Sequence, residues 1–566
     1  MSFPNPVERH DLPVKKRIWP RVLIGLAVCL VLVVAFLPRL LQTRVGRRLI
    51  RARLESRYNA EVSLQSFHTS WFGGTTAAQF WIKGADGRVV GFRSLQSDKL
   101  SLLKLLRGKY DLGNCAIDGL IVEYVFDDGN EGHRDTYELI TGAMPRPPGA
   151  PPASLAKLSG NIQVTEAQLN LYRNRLDPDD LSSSLAQTHF TNVSANFQIP
   201  SLDRPWKFSA MGMVGLTASE HGSPFQASGQ LCLGKGGVMS PADISVNAHA
   251  VASGVPTELA AVLCPLWDTQ DCRGAFGDVF NHVDVAITGE SGVIRVIVKD
   301  ATGPRGHMNL SPKFDLRSEP TAVTVDAGNQ AGNVITCALP RGSLGKQIIG
   351  VNPLLSGAED ASVILLISEL DVPFLRTQWL FGSAKGTLQV QDVKWSRDAN
   401  AAVSSDLVQQ LGALTDAGDS ARSLRCQPEP LELLNGLFTV SPTPMRWGEA
   451  TVTLAGTCSV DGQLNMTAVI DSPKLSQILG SSKSPDFAGL ALMINGTSAN
   501  PRLDMDSTIR KLPPAIAAKL QDWMNNQTAA VHRREQEAAQ REKDKQVQDL
   551  IKQFGPEHPT TSVTGN

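Results

Sequence analysis

Reactive chemistry in a polypeptide rests on a few residue types at fixed spacings, and this chain offers several near misses. Gly229, Gly234 and Lys235 open like a loop that cradles phosphate. Such a loop needs Ser or Thr after the lysine as a magnesium ligand, and Gly236 stands there. Gly289 and Ser291 begin like the sharp turn that presents a nucleophilic serine. That turn requires glycine two places after the serine, where this chain has Val293; a hairpin turn suits the segment better. The ten histidines are scattered, and none lies within four residues of another, so no zinc-binding helical pair exists. His68 beside Trp71 and His282 near Asp284 read as surface or strand residues. Asp127-Asp128 and Asp179-Asp180 sit beside Gly or Pro in turn-like sequence. Cys264 and Cys272 are close enough to bridge, or to stay two separate thiols; no C-x-x-C occurs. The residues therefore predict no catalytic, metal-binding or cofactor-binding site, and a protein that is not an enzyme.

The balance of charge narrows the partners. Lysine and arginine total 54 against 55 aspartates and glutamates, a net charge of −1. A nucleic-acid binder usually carries a basic excess, so none is expected here. Apolar residues at 42% and charged residues at 19% are near globular values, which excludes wholesale disorder.

One stretch points to a membrane. Val22–Leu37 is a run of sixteen apolar residues without a charge. Its large members are Val22, Leu23, Ile24, Leu26, Val28, Leu30, Val31, Leu32, Val33, Val34, Phe36 and Leu37. A sixteen-residue helix spans about 24 Å, and Ile18, Trp19, Leu40 and Leu41 extend it if Arg21 and Arg39 snorkel to the headgroups. The run ends without small residues suited to cleavage, so an uncleaved anchor over 18–41 is expected rather than a signal peptide. Five basic residues precede it and seven arginines follow it, which leaves the topology open by charge alone. Residues 43–58 read as an amphipathic helix with a stripe of Leu49, Ile50, Leu54 and Tyr58 among arginines. It either lies on the membrane or packs on the protein body.

Beyond Tyr58 the pattern is short alternating runs broken by Gly, Asn, Asp and Pro, which predicts a mainly β protein. Two hairpins have a legible register. A three-residue loop at Ala85-Asp86-Gly87 pairs Ile82 with Val90 and Phe80 with Phe92. A loop at Val460-Asp461-Gly462 pairs Cys458 with Leu464, Leu454 with Ala468 and Val452 with Ile470, with Met466 on the same face. Every such sheet has one dry face that needs a cover. Helical candidates are few: Thr257–Trp267, Asp406–Leu414 and the stretch around Ser472–Leu479. A packed sandwich would cover the dry faces unaided.

Five prolines between Pro145 and Pro152 mark a linker over 143–155. From Pro513 to about Phe554 the pattern predicts a long helix. Ile516, Leu520, Trp523 and Met524 stripe its first half, and five basic and five acidic residues fill 533–549. The tail, 556–566, reads as disordered.

The N-terminal unit carries Ala60-Glu-Val-Ser-Leu-Gln-Ser-Phe67, Ser70-Trp71-Phe72-Gly73-Gly74, Ser101-Leu102-Leu103 and Ile117-Asp118-Gly119. Near the other end stand Leu437–Ile470 and a step from Gly496-Thr497 to Asn500-Pro501. In these segments the chain resembles the AsmA-like group of bacterial envelope proteins, relatives of TamB and of the chorein-type bridge-like lipid-transfer proteins. The resemblance covers roughly 80 residues at the start and 70 near the end, on short motifs. It implies an elongated, taco-like β-groove, apolar inside, anchored in the inner membrane with its bulk in the periplasm. Its implied partner is phospholipid, and its implied role is lipid movement or outer-membrane biogenesis. The expected groove lining is Phe80, Ile82, Val90, Phe92, Val452, Leu454, Leu464, Met466 and Ile470, each of which plain core packing would also explain. The expected organisation is a cytoplasmic tail (1–17), the anchor, β units at 60–142 and 431–510, a central β region (156–430) and a terminal helix (511–555). A closed β scaffold, docking envelope proteins through that terminal helix, is the alternative.

Overall fold

The computed structural model describes residues 36–58, 60–83, 89–126, 158–175, 184–201, 203–216, 222–235, 238–263, 267–318, 321–325, 333–356, 358–373, 382–395, 406–415, 424–479 and 489–523, with a few more between 525 and 548. Within these the protein is mainly β. The chain divides into two compact units. Unit 1 holds residues up to Val325 with Val372–Trp379; unit 2 holds Asp326–Asp371 and the rest from Leu380. The anchor from Val22 to Val34, the loop 84–88, the Pro-rich linker, both Asp-Asp pairs, Cys264 and most of the chain past Trp523 lie outside the described residues. Among the described residues no helix is long and apolar enough to cross a membrane.

Unit 1 opens with the helix Arg44–Tyr58 against the strand Glu61–Thr69. That strand, Thr75–Lys83 and Val89–Ser97 make an antiparallel meander. Phe80 faces Phe92 and Ile82 faces Val90, the register the apolar pattern selects. Tyr110–Asp118 and Ile121–Phe126 then pair with Val89–Ser97 on one side. On the other side both run parallel to Leu158–Arg175. An antiparallel meander continues through Ser184–Ile199, Trp206–Gly215, Ser223–Cys232, Ser245–Pro256, Val279–Glu290 and Val293–Gly303. Two short helices, Glu258–Leu263 and Thr269–Phe276, form a local core of Trp267, Phe276 and Phe280, with ring centroids 5.1–5.2 Å apart.

A crease crosses the sheet from Thr75–Lys83 to Trp206–Gly215. Gln79, Glu166 and Asn192 take positive φ (48°, 51° and 50°), as does Gly119 at 62°. L-residues other than glycine pay roughly 1–2 kcal/mol for that conformation. The register places Gln79 opposite Arg93, the next strands meet there at Gly119, and Glu166, Asn192 and Gly212 follow. Glu166 and Asn192 are the extra residues of opposed bulges, with register shifts on both sides of Ala167. At the crease the inward parity changes: Val164 gives way to Ala167, and Ala186 and Thr188 on the next strand give way to Val193 and Ala195. On the outer side the Arg93 guanidinium bridges Glu166 and Asp118, the latter at 3.2 Å. Gly119 takes its positive φ there without the backbone cost that Gln79, Glu166 and Asn192 carry.

Unit 2 is an antiparallel meander covered by helices. Its strands run Val334–Ala338, Ala358–Pro373, Ser383–Trp395, Glu429–Leu434, Leu437–Trp447, Ala450–Ser459, Gln463–Asp471, Leu490–Thr497 and Asn500–Asp504. The hairpin at Val460–Gly462 has the expected register, with Gly462 at φ 83°. Its helices are Ser343–Val351, Asp406–Thr415, Pro473–Leu479 and Met505–Arg510. Residues 514–523 are also helical, with Leu520 fully buried and Ile516 and Trp523 half-buried.

Candidate functional site

The dry face of unit 1 is apolar; it is sealed at Val62, Leu64, Val164 and Ala167 and half-buried elsewhere along the rows that follow. Phe80, Ile82, Val90 and Phe92 all keep partial exposure, and the Phe80 and Phe92 rings are 5.3 Å apart. The face continues through Val122 and Tyr124 to Leu169 and Leu171, then through Phe190 to Phe225, whose rings meet edge-on at 5.2 Å. Beyond the crease, Ile162, Phe197 and Phe208 carry it onward. Phe225, Ala227 and Leu231 alternate with exposed Gln226, Ser228 and Gln230. The register carries the row on to Ala248, Ile287 and Val296, where Ala286 and Ile297 on the other face are half-buried as well. The central region, where the sequence offers no motif, thus extends one apolar face over many strands.

The second set of expected lining residues is placed differently. Val452, Leu454, Leu464, Met466 and Ile470 are 0–6% exposed. Leu354, Leu355, Leu407, Leu411 and Leu475 are equally buried. Close contacts show how tightly the helices seat. A Cβ on Gly350 would come within 2.5 Å of Cys458 Sγ. Gln347 Nε2 donates to the Val460 carbonyl at 2.8 Å, and Ser472 Oγ to that of Leu414 at 2.9 Å. In unit 2 these five residues are core.

The near misses of the sequence fall on ordinary structure. Gly229 lies inside the strand Ser223–Cys232, and Gly234–Lys235 is a short strand where a phosphate loop would open a helix. Ser291 and Gly292, at φ 54° and 78°, form the two-residue turn between paired Glu290 and Val293. His68 and His282 are exposed strand residues. Asp284 accepts instead from His249 Nε2 at 2.8 Å, and this with Lys299 nearby holds its carboxyl below the usual range. Cys272 is fully buried in its helix. Among the described residues no three His, Cys, Asp or Glu side chains gather as a metal site.

Two buried polar clusters escaped the sequence reading, since their members come from separate strands. In unit 1, Asn170 Oδ1 lies 2.7 Å from His189 Nδ1, and Tyr172 stands edge-on to the imidazole; burial pushes the His189 pKa down. In unit 2, Asn352 Nδ2 donates to Glu429 Oε1 at 3.3 Å and faces Cys426 Sγ and Met445 Sδ. Burial pushes the Glu429 carboxyl up to about 8 and raises the Cys426 thiol. Such a thiol is inert and such an acid neutral at pH 7.

No protein-family model matches the chain, and no curated protein matches it.

Proposed function

We propose that this chain is a membrane-anchored, periplasmic carrier whose unit 1 holds phospholipid acyl chains along its half-buried apolar face. The observation that supports the reading is the contrast in exposure: Phe80, Ile82, Val90 and Phe92 are half-buried where the matching residues of unit 2 are sealed. Acyl chains need only continuous apolar contact, worth about 0.8 kcal/mol per buried methylene, and no reactive group. The resemblance to AsmA-like proteins and the apolar run Val22–Leu37 supply the inner-membrane setting. Val452, Leu454, Leu464, Met466 and Ile470 are left out of the lipid path because helices seal them.

A photo-crosslinking amino acid placed singly at Phe92, Phe208 or Leu454 of the full chain tests this. Lipid adducts at Phe92 and Phe208, with none at Leu454, are expected by mass spectrometry. A folded protein that gives no lipid adduct on the unit 1 face sinks the proposal. The rival reading, a closed scaffold for envelope proteins, draws on the sealed core of unit 2. Truncation after residue 526 discriminates, because it spares buried Leu520. Loss of a protein partner with lipid adducts unchanged would favour the scaffold.

A further inference from the structure

Seven of the twelve exposed large apolar side chains among the described residues fall between Phe36 and Tyr110. They come from three segments that hydrogen bonds draw together. The first holds Phe36, Leu40, Val45 and Leu49, the last two 65% and 59% exposed. Gln42 Nε2 from this segment donates to the Thr69 carbonyl at 3.0 Å. The second is the loop just beyond, where Phe72 is 86% exposed. The third is the helix Leu102–Leu106, tied to that loop by Leu102 N–H donating to the Ser70 carbonyl at 2.9 Å. Leu106 at its end and Tyr110 at the start of the next strand are exposed.

The helix Arg44–Tyr58 has two apolar faces. Ile50 and Leu54 lie on its half-buried side, where Glu55 accepts from Val62 N–H. Val45 and Leu49, one turn apart, lie on the opposite side. Exposed Arg44, Arg48 and Arg51 flank that outer stripe on one edge and Arg53 on the other. Residues 36–58 carry seven arginines and one acid, and Arg107 and Lys109 stand exposed on the third segment. An apolar patch rimmed by cations suits a surface that is oily below and anionic above. The sequence leads the apolar run Val22–Leu37 directly into it.

We propose that these three segments form a membrane-seating face that inserts its apolar residues among the headgroups of an anionic phospholipid leaflet. The proposal rests on the membrane setting of the reading above and is independent of the lipid-holding face. Each arginine near such a surface is worth roughly fivefold in partitioning, and a few exposed apolar side chains add to that. The face would fix the attitude of unit 1 at the bilayer.

The test uses the full chain in nanodiscs of phosphatidylcholine alone or with about one-third phosphatidylglycerol, read by hydrogen exchange. Residues 44–58, 70–74 and 102–110 should slow together, by roughly fivefold or more with phosphatidylglycerol present. The effect should fade in about 1 M salt, where screening reaches ~3 Å. A combined Arg44→Gln, Arg48→Gln and Arg53→Gln variant should lose most of the phosphatidylglycerol effect, and Phe72→Ser a smaller part. Unchanged exchange in 450–470 serves as the folding control. Segments that exchange alike in every bilayer, or slow equally without anionic lipid, overturn the proposal while leaving the anchor intact. A chain that joins no bilayer overturns both.

Discussion

Phe92 in unit 1 and Leu454 in unit 2 stand in similar places, each on the dry side of an antiparallel pair. Phe92 faces Phe80 and is half-buried; Leu454 faces Ala468 and is 1% exposed. The strands in both places alternate apolar and polar residues alike. The difference lies off the sheet, in the helices Ser343–Val351, Asp406–Thr415 and Pro473–Leu479 that belong to unit 2. Alternation says that a face is dry, and says nothing of what keeps it dry.

The sharpest way to break the contrast is to charge both faces. Leu454→Asp should unfold unit 2, since truncating a buried leucine to alanine alone costs about 2–5 kcal/mol and a buried charge costs more. Phe92→Asp should leave unit 1 folded and reduce its lipid occupancy. Urea unfolding followed by hydrogen exchange on each unit reads both; a stable, lipid-depleted Leu454→Asp would make the two faces equivalent after all.

A pH titration gives the next effect. The Glu429 carboxyl ordinarily titrates near 4.5 and is pushed up to about 8 by burial. Between those values the folded state holds a proton that the unfolded state has released. Rising pH therefore weakens unit 2, by up to about 1.4 kcal/mol per pH unit across that window, and the loss levels off above it. Glu429→Gln should flatten the profile. A slope unchanged by that substitution would assign the pH dependence elsewhere.

The crease offers a smaller effect, confined to unit 1. Gln79→Gly should stabilise it by up to about 1 kcal/mol and Gln79→Val should destabilise it by a similar amount, because φ is positive there. Thermal melts decide; equal melting of all three proteins would mean the crease carries no backbone cost. Smallest of all is Arg93→Ala. Its guanidinium is solvent-exposed, so the bridges to Glu166 and Asp118 should matter little and vanish in high salt.

Much of the strand register was legible. The pairs Phe80–Phe92 and Val452–Ile470 follow from period-two alternation and a turn with glycine at its end. Three of the helices are legible from helical apolar spacing, within Thr257–Trp267, at Asp406–Thr415 and at Pro473–Leu479. Ser343–Val351 was not foreseen: it is one of the covers of unit 2, yet short and interrupted by Gly345 and Gly350, so its sequence reads as loop. Gly350 serves close packing against Cys458 instead. The stripe on residues 43–58 was legible only in part, for Leu49 and Ile50, about 100° apart on the helix, fall on different faces, one exposed and one half-buried. The clusters around Asn170 and Glu429 need the register of several strands before they exist at all.

The crease also bears on insertions and deletions. Losing one residue from a strand normally turns every later side chain to the wrong face. Asn192 is the exception built into unit 1, being the surplus residue against both of its neighbouring strands. Its removal would bring Val193 opposite Gly212 and Thr191 opposite Gln168, and would leave each remaining side chain on the side it already occupies. Removing Asn196 from the same strand, only four places on, would invert the inward and outward sets between the two sites. Unit 1 should thus tolerate a shortened chain at one row and nowhere close by, which hydrogen exchange on the two deletion variants can decide.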